Sequence, residues 1–284
     1  MRHSAVEPPE QTDALVAVVI PAFRASATIG DVLKRIGPEV VRIYLVDDAC
    51  PDGTGDLAVR DCVDDRLVVL RNPANLGVGG AMKHGYRRAL ADGAQIVVKL
   101  DADGQMDPSH IPYLIAPLLA GTADYAKGNR FACPTLMPPG SPADSLQEMP
   151  LRRRMANLCF SKIHKVATGY SNVVDPANGY TAIHRETLER IEVGQLADCF
   201  FFETDMLFSL NLLDASVADV PLPARYAGIG SSLSLRRVAP RFAALTLARC
   251  LYRLKRKFRS ARQGGGRFHG TARLQPFEQC PDVC

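Results

Sequence analysis

Strands that alternate with helices along the first hundred residues predict an α/β fold built on a mostly parallel sheet. Three observations carry this prediction. Short apolar runs recur between segments whose apolar residues fall at helical spacing. The runs are nearly continuous rather than alternating, as in strands buried on both faces. Acidic residues follow directly on two of them, where an open α/β sheet places its ligand crevice. At 284 residues, 47% apolar and 23% charged, the chain has an ordinary globular balance, which excludes disorder or fibre for most of its length.

Residues 1–13 are polar, contain Pro8 and Pro9, and are expected to form a mobile arm. The ordered part opens with an apolar strand at 14–20. A helix over 29–36 follows a Ser26/Thr28 cap, and a second strand lies at 41–46. The rhythm continues with a helix at 54–63, a strand at 67–70, a helix at 78–90 and a strand at 94–100. Past Gly128 it breaks, because residues 133–150 hold five prolines and no periodic pattern, the mark of a long loop. A helix at 155–166, a strand at 179–183, a helix at 202–213 and a strand at 216–220 complete a domain over 14–235. A basic amphipathic helix over 236–262 and a disordered tail over 263–284, opening on Gly264-Gly265-Gly266, are expected to follow.

Several function classes are disfavoured by what the sequence lacks. The eight cysteines are scattered without a CxxC and the six histidines are equally dispersed, so reduced thiols are expected rather than a disulfide framework or zinc site. The first strand ends Val18-Val19-Ile20-Pro21-Ala22-Phe23 with no GxGxxG, which argues against a dinucleotide enzyme. Asn75-Leu76-Gly77-Val78-Gly79-Gly80 lacks the Gly-Lys-Ser/Thr of a P-loop and reads equally as a turn entering a helix. The first apolar run is too short to span a bilayer, and no basic leader with a cleavage site precedes it, so the expectation is a cytoplasmic chain.

Chemistry is written at the strand ends. The second strand runs into Asp47 and Asp48, which suit a ribose hydroxyl or base N–H as acceptors and suit equally the capping of the next helix. The fourth strand delivers Asp101-Ala102-Asp103-Gly104-Gln105. On extended backbone, residues i and i+2 point the same way, so two carboxylates and Gln105 converge on one spot. Either they form a solvated turn, or they hold Mg²⁺ or Mn²⁺ together with a substrate diphosphate. An EF-hand is excluded, since its sixth position is Met106 and its twelfth Pro112.

Ile20-Pro21-Ala22-Phe23, Val46-Asp47-Asp48, Asn75-Leu76-Gly77 and Asp101-Ala102-Asp103-Gly104-Gln105 fall in one order. With Gly128-Asn129-Arg130, Asp175-Pro176-Ala177-Asn178-Gly179-Tyr180 and Phe202-Glu203-Thr204-Asp205, the chain resembles the family 2 glycosyltransferases of GT-A fold. The resemblance extends to the branch containing dolichol-phosphate mannose synthase and bacterial polyprenyl-phosphate glycosyltransferases. It implies an inverting, metal-dependent transfer of a sugar from a GDP- or UDP-linked donor to a polyprenyl phosphate. By the same resemblance Pro21, Phe23, Asp47, Asp48, Asn75, Gly77 and Lys83 would hold the donor, with Asp101 and Asp103. Asp101, Asp103 and Gln105 would hold the metal. Arg130, Arg152, Asn178, Gly179 and Arg225 would face the acceptor, and Glu203 or Asp205 would be the catalytic base where one is needed, with Asp103 beside them. The chain departs from the pattern at Val78, where a lysine is common, and at Gly228 to Ser232, which carry no charge.

From Arg236 onward, twelve Lys and Arg stand against Glu278 and Asp282, a net charge of +10, which leaves −6 for residues 1–235. Leu247, Leu251, Leu254 and Phe258 share one helical stripe among basic residues, the pattern of a helix lying on an anionic membrane surface or packing on its own domain. Each basic group near such a surface contributes about 1 kcal/mol, enough in sum for peripheral attachment to the inner membrane face. Nucleic acid is disfavoured as a partner because no binding motif accompanies the charge. Two readings compete with the leading one. One keeps the donor and takes a lipid-linked or polysaccharide hydroxyl as acceptor; the other is a non-catalytic sugar-nucleotide or membrane-binding module.

Overall fold

The computed structural model describes residues 14–131, 161–224 and 235–262, with side chains in the last stretch described for 242–255. The expected arm, the proline-rich loop, the tail, Arg152 and Arg225 lie outside these residues. In chain order the elements are β1 (Val16–Ala22), α1 (Ile29–Lys34), β2 (Val40–Asp47), α2 (Thr54–Asp61), β3 (Leu67–Arg71), α3 (Gly77–Ala91) and β4 (Ile96–Lys99). There follow α4 (Ile111–Leu119), β5 (Tyr125–Asn129), α5 (161–168), β6 (Thr181–His184), α6 (Arg185–Glu189), α7 (Phe202–Leu212), β7 (Val217–Pro221) and α8 (Leu235–Arg262).

The strands form one seven-stranded sheet in the order β3-β2-β1-β4-β6-β5-β7. β1, β2, β3 and β4 pair in parallel, as do β5 and β7, while β6 runs antiparallel between β4 and β5. The expected mostly parallel sheet is present, with helices on both faces. Period-two alternation divides β1 between two cores. Val16, Val18 and Ile20 pack with Ile29, Val32 and Leu33 of α1 and Leu114 and Leu118 of α4. Ala17 and Val19 pack with Met82 and Tyr86 of α3 and Met206 and Leu210 of α7. Each fully buried Val, Ile or Leu contributes roughly 1.5 to 3 kcal/mol, so this strand anchors the fold more firmly than any single polar contact at its end.

One local expectation changes. Thr28 precedes α1, but its hydroxyl donates to the carbonyls of Ala25 and Ala102, at 3.2 and 2.6 Å, instead of accepting from the helix. It therefore ties α1 to the Asp101–Asp103 turn. The topology also fixes where a ligand can enter. From β1 the chain builds outward through β2 and β3, then crosses back to β4 on the other side of β1, so the sheet parts its connections at the carboxyl ends of β1 and β4.

Candidate active site

The carboxyl ends of β1 and β2 lie side by side, with Ala22 paired to Asp47. Both chains leave the sheet through left-handed non-glycine residues, Arg24 at φ 55° and Ala49 at φ 53°. Such positions cost on the order of 1–3 kcal/mol and concentrate at functional sites. Pro21 is half-buried and Phe23 exposed at this edge. Asp47 is largely occupied by the fold, accepting from the Cys50 N–H at 2.8 Å and Arg71 Nη1 at 3.3 Å. Asp48 accepts from Asn72 Nδ2 at 2.6 Å and the Leu76 N–H at 3.0 Å, both on Oδ1, which fixes its orientation toward the Asn75-Leu76-Gly77 turn. Asn75 accepts from the Gly77 N–H at 2.9 Å, and Gly77 holds φ 77°, the conformation glycine permits.

Lys83 behaves differently from the reading that placed it on the donor. It is buried, donates to Asp198 Oδ1 at 2.6 Å and Gly194 O at 3.3 Å, and so holds the 194–198 segment onto α3. That segment also accepts the Gly79 N–H at Asp198 O, 2.7 Å. The glycine run is thus used for close packing against backbone: a Cβ at Gly79 would collide with Ala197 O.

The densest charge lies at the end of β4. Lys99, 2% exposed, donates to Asp101 Oδ1 at 2.6 Å and to Gly179 O at 3.2 Å, and stands 3.1 Å from Glu203 Oε1. Lys127 of β5, fully buried, donates to Asn178 O at 2.6 Å and to Glu203 Oε2 at 3.3 Å. Burial works against the Lys99 ammonium, yet Asp101 and Glu203 together hold its pKa above the ordinary value. Burial wins at Lys127 and lowers its pKa against the pull of Glu203 and Asp175. Gly179 is the floor of this cluster, since a Cβ there would collide with Asp101 Oδ2 and Lys99 Nζ. Asn178 secures it by donating to Gly128 O at 2.8 Å and accepting from the Tyr180 N–H at 3.1 Å.

Asp103 accepts from the Gln105 N–H at 3.0 Å across Gly104, which sits at φ 72°. Burial, then the neighbouring Asp101 charge, push the Asp103 carboxyl above its ordinary range. This is the relation a divalent cation relieves: two oxygen ligands side by side, one of them short of a counter-charge. Among the described residues no three His, Cys, Asp or Glu side chains form a metal site by themselves. The two aspartates therefore fit a hard cation that takes its remaining ligands from water and substrate, as Mg²⁺ does with diphosphates. Arg130 borders the same cluster, because it directly follows β5, whose Gly128 carbonyl accepts from Asn178. Its guanidinium grips Asp175 with two bonds, Nε to Oδ2 at 2.6 Å and Nη2 to Oδ1 at 3.0 Å.

Glu203 and Asp205, expected as a pair, are separated by the helix that carries them. Residues two apart on a helix do not share a face. Glu203 turns to the sheet and its lysines. Asp205, fully buried, turns to α8, where Arg249 Nε meets Oδ1 at 2.7 Å and Nη2 meets Oδ2 at 3.1 Å, and where it also accepts the Ala197 N–H at 2.9 Å. Burial raises the Asp205 carboxyl against the pull of Arg249. The structure thus brings together Asp101, Asp103, Gln105, Arg130, Asn178, Gly179 and Glu203 at one place, leaves Asp47, Asp48, Asn75 and Gly77 at the adjoining edge, and sets Asp205 and Lys83 into packing seams. Lys99 and Lys127 escaped sequence reading. The signal was present, as a lysine inside the apolar run Ile96-Val97-Val98-Lys99-Leu100.

Comparisons with known proteins show the family and the fold. The family model described as Glycosyl transferase family 2 matches residues 17–191, more than half of the chain. An undecaprenyl-phosphate mannosyltransferase of Micrococcus luteus is 30% identical over 211 residues, covering 73% of this chain and 82% of that protein. A polyprenol monophosphomannose synthase of Mycolicibacterium smegmatis is 29% identical over 213 residues, 72% of this chain and 75% of its own. Among solved structures, glucosyl-3-phosphoglycerate synthase from Mycobacterium tuberculosis, in complex with Mn²⁺, uridine diphosphate and phosphoglyceric acid, superposes with a TM-score of 0.59. It shares 20% identity over 84% of this chain and 79% of that one, a likeness of fold.

Proposed function

The chain belongs to glycosyl transferase family 2, and from that premise we propose that it moves a hexose from a GDP- or UDP-linked donor to a polyprenyl phosphate, with inversion at the anomeric carbon. The observation that carries the choice of acceptor is that neither acid of α7 stands free to take a proton. Glu203 lies between Lys99 and Lys127, and Asp205 is locked to Arg249. A hydroxyl acceptor must be deprotonated as it attacks, whereas a phosphate arrives as an anion and needs only to be held and aimed. The names of the two relatives, both of which carry mannose to a polyprenyl-type lipid, support the same reading and make mannose the first sugar to test.

In this reading Asp48 and the Pro21–Phe23 edge orient the nucleoside. Asp101 and Asp103, with Gln105 beside them, would hold Mg²⁺ or Mn²⁺, which would neutralise charge growing on the leaving diphosphate. Lys99 fixes the Asp101 carboxylate, Gly179 lets it approach, and Glu203 keeps both buried ammoniums in place. Arg130, oriented by Asp175, presents its guanidinium toward the acceptor phosphate, and Arg152 and Arg225 are further candidates for that anion. A lipid acceptor places the reaction at a membrane surface, the inner face in our reading. No helix among the described residues is long and apolar enough to cross a bilayer.

The test is transfer of labelled hexose from GDP- and UDP-linked donors to polyprenyl phosphate, with Mg²⁺, Mn²⁺ or chelator, read as label extractable into organic solvent. A β-linked, metal-dependent product from an α-linked donor is expected. Label entering only water-soluble glycan would sink the phosphate acceptor.

A further inference from the structure

Over 242–255 the C-terminal helix departs from an ordinary surface helix: Phe242, Leu245 and Tyr252 pack inward, but two arginines are buried beside them. Its inward face carries Thr246, Arg249 and Arg253, the arginines only 3% and 9% exposed. Arg249 forms the two-bonded pair with Asp205 of α7, and Arg253 Nη2 donates to Val166 O at 2.9 Å. These anchors stand four residues apart on one face and therefore set the rotation of the helix. The face left outside is apolar throughout: every exposed residue from 243 to 254 is Ala or Leu, with Leu247 61%, Leu251 49% and Leu254 40% exposed. α5, held against α8 by the His164–Phe242 ring contact at 5.6 Å and by the Arg253 bond, adds exposed Ile163 and Val166.

A helix that buries Arg249 and Arg253 and shows Leu247, Leu251 and Leu254 side by side is built to be covered there. The charge distribution says by what. The stripe runs directly into Lys255, Arg256, Lys257, Arg259 and Arg262, within a segment whose net charge is +10 from Arg236 onward, while residues 1–235 sum to −6. Two copies paired stripe to stripe would bring no acid to those bases, since residues 236–277 hold neither Asp nor Glu. An anionic bilayer surface offers apolar depth and negative charge in layers, acyl chains below phosphates.

We infer that the outward face of α8 is a seat for an anionic lipid bilayer, with Leu247, Leu251 and Leu254 entering the acyl boundary, Lys255 at its edge, and the basic run that follows in the sequence supplying charge that attracts headgroup phosphates. Arg249 and Arg253 are positioning residues for that seat, because their inward bonds aim it. The seat is independent of the identity of the sugar or its acceptor.

The experiment is co-sedimentation of the full chain with phosphatidylcholine vesicles with and without phosphatidylglycerol, alongside nucleotide binding and sedimentation velocity without lipid. Wild type is expected to pellet with the anionic vesicles and to be released by salt. Leu247→Glu/Leu251→Glu should weaken vesicle binding at least about tenfold while nucleotide binding and helical circular dichroism stay unchanged. Lys255→Glu/Lys257→Glu tests the charge separately and should do the same without touching the stripe. The inference is overturned if wild type ignores anionic vesicles, if it binds neutral vesicles equally well, or if the leucine variant binds like wild type. A dimer split by the leucine substitutions, with no lipid binding, would overturn it in favour of a second copy. Retained lipid binding with no glycolipid product would instead sink the proposed acceptor and leave the seat standing.

Discussion

The two faces of α7 solve the same problem with opposite purposes. Each buries a carboxylate and matches it with buried cations: Glu203 with Lys99 and Lys127, Asp205 with Arg249. On the sheet face the cations are lysines, point charges that also reach Asp101 and the Asn178 and Gly179 carbonyls, so the carboxylate serves a network open to the crevice. On the α8 face the cation is an arginine whose planar fork satisfies both oxygens at once, a closed pair that fixes one helix on another. The difference teaches that two acids in one motif can be divided by helix geometry, one facing the lysines of the sheet and the other latching a neighbouring helix.

The strongest way to break this division is on the sheet face. Asp103→Asn should lower sugar transfer by about 10³-fold, some 4 kcal/mol of transition-state stabilisation, because in the proposed reading it removes a carboxylate charge that would hold the cation. The thermal midpoint should hardly fall, since burial and Asp101 already disfavour the Asp103 charge. Initial rates and a melting curve check both halves, and a large loss of stability would contradict the division. The latch should behave in reverse. Arg249→Met leaves the buried Asp205 carboxyl without its cation, which typically costs about 3 kcal/mol or more of folding stability, whereas Asp205→Leu with Arg249→Met should recover most of it. Urea unfolding of the two variants decides, and a double variant as unstable as the single would show that the pair is not closed.

Why the division was only partly legible follows from the residues. β1 to β4 announced themselves because both faces of each strand are apolar or end on acids. β5 was hidden because Lys127, Gly128 and Asn129 make a buried strand read as polar, their polar groups being taken up by Glu203, Asn178 and Asp219. α4 was missed because Pro112 and Pro117 interrupt a nearly all-apolar run that helical geometry nonetheless accommodates. The order of the acidic motifs located the crevice, yet nothing in Glu203-Thr204-Asp205 says which acid faces the sheet. Nor does the basic pattern of the tail say that Arg249 and Arg253 point inward; that is decided by a partner 44 residues away in the case of Arg249 and Asp205. Long-range pairing is the part of folding that local pattern does not carry.

A smaller effect sharpens the sheet side. Gly179→Ala places a methyl group against Asp101 Oδ2 and Lys99 Nζ, two side-chain ends joined to each other through Asp101 Oδ1, so the carboxylate must move rather than the backbone. A displaced supporting shell costs about 10²-fold in metal affinity or activity. Mn²⁺-dependent nucleotide binding by calorimetry should weaken accordingly, while binding without metal stays the same; equal loss in both would mean the substitution disrupts the fold and not the aspartate.

The α8 side has its own signature in acid. His164 of α5 is 2% exposed, lies against Phe242 of α8 and stands 3.5 Å from Thr204 Oγ1 of α7. Burial, with a smaller contribution from Lys127, lowers its pKa from 6.5 to about 4. A histidine kept neutral in the folded state takes up its proton on unfolding between those values, so its contribution is intact above pH 6.5 and is lost as pH falls toward 4. Between pH 7 and pH 5 the loss is about 2 kcal/mol. His164→Gln, which cannot titrate, should flatten that part of the pH dependence measured by urea unfolding. Hydrogen exchange at pH 5 should show α5 and α8 opening before β4 and β5, since the latch lies on the His164 side of α7 and the lysine network on the other. Exchange that rises first at the sheet would place the weak seam of the molecule on the wrong face of α7 for this division.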